Sequence, residues 1–138
     1  CKLPITFKAS QNISLGSGSI CPFNSQNTGW LKDAYPLMYL PSYCSFRMTD
    51  IWRSFIAQRI AWTCDWSILF HKSTVVQKRN AHNLMRDFQD EISGYENNYK
   101  IMNNLMKLKL RTGIKNIKYN MLLCYRELVR IKLIDKKK

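Results

Sequence analysis

The sequence predicts a mixed α/β protein with a few short strands before residue 72 and helices from there to the end. Three observations predict it. Short apolar runs, some with period-2 alternation, fall early, at Lys2–Lys8, Leu37–Leu40 and Trp66–Phe70. The stretch Phe46–Trp62 places Ile51, Phe55, Ile56 and Ile60 at helical spacing, with Trp52 on the same broad face. Helical periodicity then runs through residues 80–134.

Taken in order, Lys2–Lys8 is a short alternation that Pro4 confines to an edge or a strand start. Gln11–Ser19 is polar and holds Gly16 and Gly18, and with no strand-turn-helix pattern around it this reads as a loop. Cys21–Thr28 is dense in amides and hydroxyls. Such groups donate and accept at once, as a sugar or a base requires, and they also build ordinary turns on their own backbone, the reading the residues alone favour. Leu37–Leu40, between Pro36 and Pro41, reads as a short buried strand, and Tyr43–Met48 as an extended lead-in.

The central helix then starts at Thr49 or Asp50, either of which can cap it by accepting from a first-turn N–H. Asp50 stands between Arg47 and Arg53. The trio reads either as a reactive carboxylate in a polar pocket or as a cap with solvated neighbours, and spacing alone favours the cap. After a turn at Thr63–Asp65, Trp66–Phe70 reads as a core strand with His71 at its end, where an open α/β sheet presents residues to ligands. A second helix spans Asn80–Ile92 and stops at Ser93-Gly94; a third spans Glu96–Leu110; a fourth runs from Ile114 to Ile134 after Thr112-Gly113, and Lys136–Lys138 reads as a frayed end. Asp87, Asp90 and Glu91 read as a solvated acidic face rather than a metal site.

The 138 residues accommodate one domain or less, and 46% hydrophobic residues supply a core. The chain opens on Cys1 with no signal-peptide pattern and no membrane-spanning run, which reads as a fragment of a longer protein. The net charge of +13 is uneven: residues 1–100 carry 11 Lys+Arg against 7 Asp+Glu, giving +4, and residues 101–138 carry 11 against 2, giving +9. A basic tail suits phosphates, nucleic acid or an anionic membrane, but without interleaved aromatics it reads first as a solvated helix face. Five cysteines at 1, 21, 44, 64 and 124 show no zinc spacing, and Asn12-Ile13-Ser14 is the one glycosylation triplet.

Several ordered segments resemble the DUF288 family, which includes nematode proteins and the plant Golgi proteins called STELLO. They are Pro22–Thr28, Leu40–Tyr43, Arg47–Ser54, Phe70-His71, Gln77–Phe88 and Asp90–Ile92, so the resemblance covers roughly residues 20–95. It implies a partial GT-A-like nucleotide-diphospho-sugar transferase fold, with residues 1–95 the C-terminal part of a glycosyltransferase-like domain and 96–138 a basic helical extension. It further implies a nucleotide-sugar donor, a glycan or polysaccharide acceptor, a divalent metal (Mn or Mg) and a parent protein in the Golgi or secretory lumen. Any membrane contact would come through an anchor outside this chain, and no nucleic acid is expected.

By that resemblance Asp50 is the base of an inverting transfer and His71 a metal ligand, and no Asp-x-Asp element is present in the 138 residues. Arg47 and Arg53 would neutralise diphosphate charge, and Asn24, Gln26 and Asn27 would hold sugar hydroxyls. Trp52 reads as a stacking platform or, more simply, as core. A reading of another class keeps the fold as a scaffold or binding module without turnover.

Overall fold

The structure is a computed structural model that describes residues 12–78, 80, 81 and 83–135. The expected alternation at Lys2–Lys8 and the frayed end at Lys136–Lys138 lie outside the described residues. Everything else is arranged around one helix, α1 (Thr49–Ala61). It was expected to be amphipathic, yet Trp52–Gln58 are all buried, as are Ile60 and Ala61. The apolar side packs into the core. The polar side, with Arg53, Ser54 and Gln58, is covered by a loop that its own side chains hold down.

The helix starts differently from the expectation. Phe46–Met48 is a 3-10 turn, not an extended lead-in, and it runs straight into α1. Met48 N–H donates to Ser45 O at 2.8 Å and Thr49 N–H donates to Phe46 O. The N-cap is therefore Met48, without a side-chain cap. Asp50 does not cap the helix; its carboxylate turns to another segment. At the other end, a 3-10 turn at Trp62–Cys64 and Asp65 in the left-handed region (φ 57°) close the helix, as the turn expected at Thr63–Asp65 required.

Two early strands exist, but not as a core sheet. β1 (Ile13–Leu15) pairs antiparallel with β2 (Ile68–Phe70), in register Ile13↔Phe70, Ser14↔Leu69 and Leu15↔Ile68. The ribbon is three residues long, with Ile13 and Leu69 both more than half exposed and Ile68 and Phe70 only partly buried, so β2 is a half-buried strand rather than the core strand expected. β1 falls in the stretch read as loop; Ser14 Oγ donates to Ser67 Oγ at 2.9 Å beside the ladder. Leu37–Leu40 is not a strand either. Lys32–Met38 forms a 3-10 helix containing Pro36, which turns Leu37 inward and leaves Met38, Tyr39 and Leu40 exposed.

The second and third predicted helices are one. α2 (Leu84–Lys107) begins at Asn83, whose Oδ1 accepts the Arg86 N–H at 3.2 Å, and passes unbroken through Ser93-Gly94. Position 95/96 thus falls inside a helix, and Ile101 and Leu105 beyond it share the core with α1. Gly94 is buried because Met48 lies against it; a Cβ there would overlap the Met48 sulfur. At the C-terminus of α2, Arg59 of α1 donates to Leu105 O (3.2 Å) and Leu108 O (2.8 Å), placing a cation where unpaired carbonyls collect.

The Gly94 contact yields a prediction. Alanine should gain about 1 kcal/mol of helix propensity, while overpacking of this kind costs about 1–3 kcal/mol. Gly94→Ala is expected to lower stability in thermal unfolding, and to raise it in a Met48→Ala background. A stabilising Gly94→Ala in the wild-type chain would contradict the contact.

Gly113 (φ 91°) breaks the chain where Thr112-Gly113 was expected to, and a 3-10 turn leads into α3 (Ile117–Arg130). Buried Asn120 closes this connection by accepting the Arg111 N–H at 3.0 Å and donating to Arg111 O at 2.7 Å. Ile117, Cys124 and Leu128 complete the core, while Lys115, Lys118, Arg126, Arg130 and Lys132 are exposed, as expected of a solvated basic face. The four described cysteines are free; burial pushes the Cys124 thiol up to about 12 and Cys44 to about 11, which suits packing rather than thiolate chemistry. Among the described residues, no helix is long and apolar enough to cross a membrane.

Candidate functional site

The polar side of α1 explains how the segment 21–28 is placed. Asp50, Ser54 and Gln58 recur every four residues and so share one helix face. Opposite them lie Ser25, Phe23 and Cys21, alternate residues of an extended segment. Four helical residues rise about 6 Å and two extended residues about 6.6 Å, so the two periods match. Gln58 Oε1 accepts the Cys21 N–H at 3.0 Å and its Nε2 donates to Cys21 O at 2.8 Å. Ser54 Oγ accepts the Phe23 N–H at 3.1 Å, and Asp50 Oδ2 accepts the Ser25 N–H at 2.9 Å.

Arg53 locks the same segment from the side. Its guanidinium lies 5.5 Å from the Phe23 ring centre and 4.8 Å from that of Trp30, and donates to Ser25 Oγ at 3.0 Å. The residue is 2% exposed and its Nε has no partner. Burial lowers its pKa from the ordinary value, with Asp50 and then Tyr125 opposing the shift.

Beyond Ser25 the segment turns. Asn24 Oδ1 accepts the Gln26 N–H at 3.0 Å, Thr28 Oγ1 donates to Asn24 O at 2.8 Å, and Asn27 adopts φ 52°. Thr74 Oγ1 donates to Asn27 Oδ1 at 3.0 Å and ties this turn to the segment after β2. Between the two lies an open cleft of about 450 Å³ lined by Asn24, Gln26, Asn27, Ser73, Val75 and Gln77. No lining residue is charged; the walls are three amide side chains from one segment, a hydroxyl, a methyl-bearing side chain and a fourth amide from the other.

The structure thus brings Asn24, Gln26 and Asn27 together and sends the other candidates elsewhere. Arg53 is buried against the loop. Arg47, half-buried, is ion-paired with Asp87 at the first turn of α2. Trp52 is core, its Nε1 donating to Asn98 Oδ1 at 3.1 Å. Asp50 stands behind the loop and does not line the cleft; its Oδ1 has no hydrogen-bond partner among the described residues. His71, at the end of β2, is exposed, with Nδ1 2.6 Å from Lys72 O, and is likewise not a lining residue. Among the described residues, no three His, Cys, Asp or Glu side chains group to hold a metal, so His71 with these residues alone does not make a divalent-ion site. Sequence reasoning missed Ser73, Val75 and Gln77 as cleft walls. Only the hydroxyl pair Ser73-Thr74 after a strand end hinted at them.

The carboxamides and the hydroxyl around this cleft can each donate and accept a hydrogen bond, as the hydroxyls of a neutral ligand require. The chain belongs to the STELLO glycosyltransferases, the family that matches it over residues 47–138. The match starts at Arg47 and extends through α3, so it includes α1 and both later helices. No curated protein and no solved structure matches the chain.

Proposed function

We propose that this chain is part of a GT-A-like sugar-transferring domain, and that the cleft between residues 24–27 and 73–77 holds the hydroxyls of a neutral sugar. The observation that carries the reading is the convergence of Asn24, Gln26, Asn27 and Gln77 on one uncharged cleft in a member of a glycosyltransferase family. Carboxamides donate through nitrogen and accept through oxygen, which matches vicinal hydroxyls. The Val75 side chain offers an apolar surface to a sugar's C–H face.

In the proposed transfer, Asp50 Oδ1 accepts the proton of the acceptor hydroxyl. The acceptor oxygen bonds to the anomeric carbon from the face opposite the diphosphate, and the bond to the diphosphate breaks, giving inversion. Asp50 Oδ2 meanwhile stays on the Ser25 N–H, so the base and the sugar-holding loop are positioned together. Arg47, partly exposed beside Asp87, is the guanidinium available to the diphosphate, whereas Arg53 serves the loop. The donor would be a nucleoside-diphosphate sugar and the acceptor a glycan or polysaccharide. The same reading places the full-length protein in the Golgi or secretory lumen. A divalent ion, Mn or Mg, would neutralise the donor's diphosphate, with His71 as one donor atom and further ligands from outside the described residues.

A binding module without turnover is the second reading, favoured by the use of Asp50 and Arg53 to hold the loop. Full-length protein incubated with nucleoside-diphosphate sugars separates the two. Acceptor-dependent release of nucleoside diphosphate is expected for the transferase. Saturable sugar binding with no release would establish the module instead.

A further inference from the structure

α3 turns one side to the core and leaves the other bare. Ile117, Asn120, Cys124 and Leu128 are buried. At about 100° per residue, the opposite side carries Lys118, Leu122 and Arg126, four residues apart, with Tyr119 beside them. All four are exposed, Tyr119 at 40% and Leu122 at 48%. Two further cations join this face at its N-terminal end. Lys115 stands exposed in the 3-10 turn that leads into α3. Arg111 reaches the face by stacking, its guanidinium 3.9 Å from the centre of the Tyr119 ring.

Charge says what the face fits. Residues 97–126 carry seven Lys+Arg and no Asp or Glu. The one acid of α3, Glu127, is taken up by Arg130, whose Nε donates to Glu127 Oε2 at 2.7 Å. Among the described residues, none of Arg111, Lys115, Lys118 and Arg126 is ion-paired. Lys118 and Arg126 stand about 12 Å apart along the helix, so the complement is a surface of anions rather than a single one. Leu122 and Tyr119 choose between such surfaces. A leucine set among cations gains nothing from the wetted phosphates of a nucleic acid or the carboxylates of an acidic polysaccharide. Against a lipid surface it enters the acyl boundary below the phosphates, while a tyrosine sits at headgroup level.

We propose that the outer face of α3 rests on an anionic lipid surface. Arg111, Lys115, Lys118 and Arg126 meet the headgroup phosphates, and Leu122 enters between them. The contact is made by this chain itself, lies along the surface rather than across it, and does not depend on the sugar-holding role of the cleft. Co-sedimentation with vesicles of phosphatidylcholine, with and without about one-third phosphatidylserine, tests it. Binding is expected only with the anionic lipid and should weaken as salt is raised. Lys115→Gln, Lys118→Gln and Arg126→Gln combined should weaken it about 100-fold. Leu122→Ser alone should weaken it about threefold or more. All four changes fall on exposed side chains, and a helical circular dichroism signal matching wild type certifies each variant. No binding to anionic vesicles, equal binding to neutral ones, or binding indifferent to the triple change would overturn the proposal. So would a Leu122→Ser chain that binds vesicles as tightly as wild type, because the face would then read charge alone, as RNA or an acidic polysaccharide presents it.

Discussion

Asp50→Asn is expected to reduce sugar transfer by the full-length protein by about 10²–10⁴-fold, the usual contribution of a positioned general base. The substitution is informative because of the Asp50 hydrogen bond. The side-chain oxygen of asparagine can still accept the Ser25 N–H, so the loop over residues 21–28 keeps its anchor. What disappears is the capacity of the second oxygen to take a proton. Asp50→Ala removes both, and should add a loss of sugar affinity to the loss of turnover. The pair of variants therefore divides the two roles of one carboxylate. If Asp50 only positions the loop, Asp50→Asn would retain near-normal kcat and Asp50→Ala would raise KM.

Arg53→Ala is expected to lower stability by about 3 kcal/mol, measured as a shift in the urea midpoint. Truncation removes a fully buried stem, two ring contacts worth up to about 2 kcal/mol each when desolvated, and the hydrogen bond to Ser25. Arg53→Met should cost less than half as much. It fills the same space and removes the Nε that burial leaves unpaired. A surface arginine that served only to bind diphosphate would behave oppositely, with stability unchanged in Arg53→Ala and nucleotide-sugar affinity lost.

The sequence was most legible where structure depends on neighbouring residues. The helix at Thr49–Ala61, the break at Gly113 and the outward basic face of α3 follow from local period, glycine conformation and charge. It misled where a residue answers a distant one. Gly94 reads as a stop by propensity, yet α2 continues because Met48, 46 positions earlier, needs the space. Asp50 reads as a cap until the Phe46–Met48 turn supplies the carbonyls that a cap would replace. Trp66–Phe70 has core composition, but a three-residue partner cannot bury it. The cleft was half legible. Asn24, Gln26 and Asn27 stand together in sequence, whereas Ser73, Val75 and Gln77 reach them only through the Thr74–Asn27 bond. Buried Arg53 was not legible at all, because Phe23 and Trp30 come from a loop whose path is set by Gln58 and Ser54.

Titration of the chain with neutral mono- and disaccharides, followed by NMR of the side-chain amide signals, tests the proposed role of the cleft most directly. Sugar held between the two segments should shift the NH₂ signals of Asn24, Gln26, Asn27 and Gln77 in a saturable way, and leave buried Asn120 and Gln58 unmoved. Sugars that leave those four signals in place, whether they bind elsewhere on the chain or not at all, would contradict it.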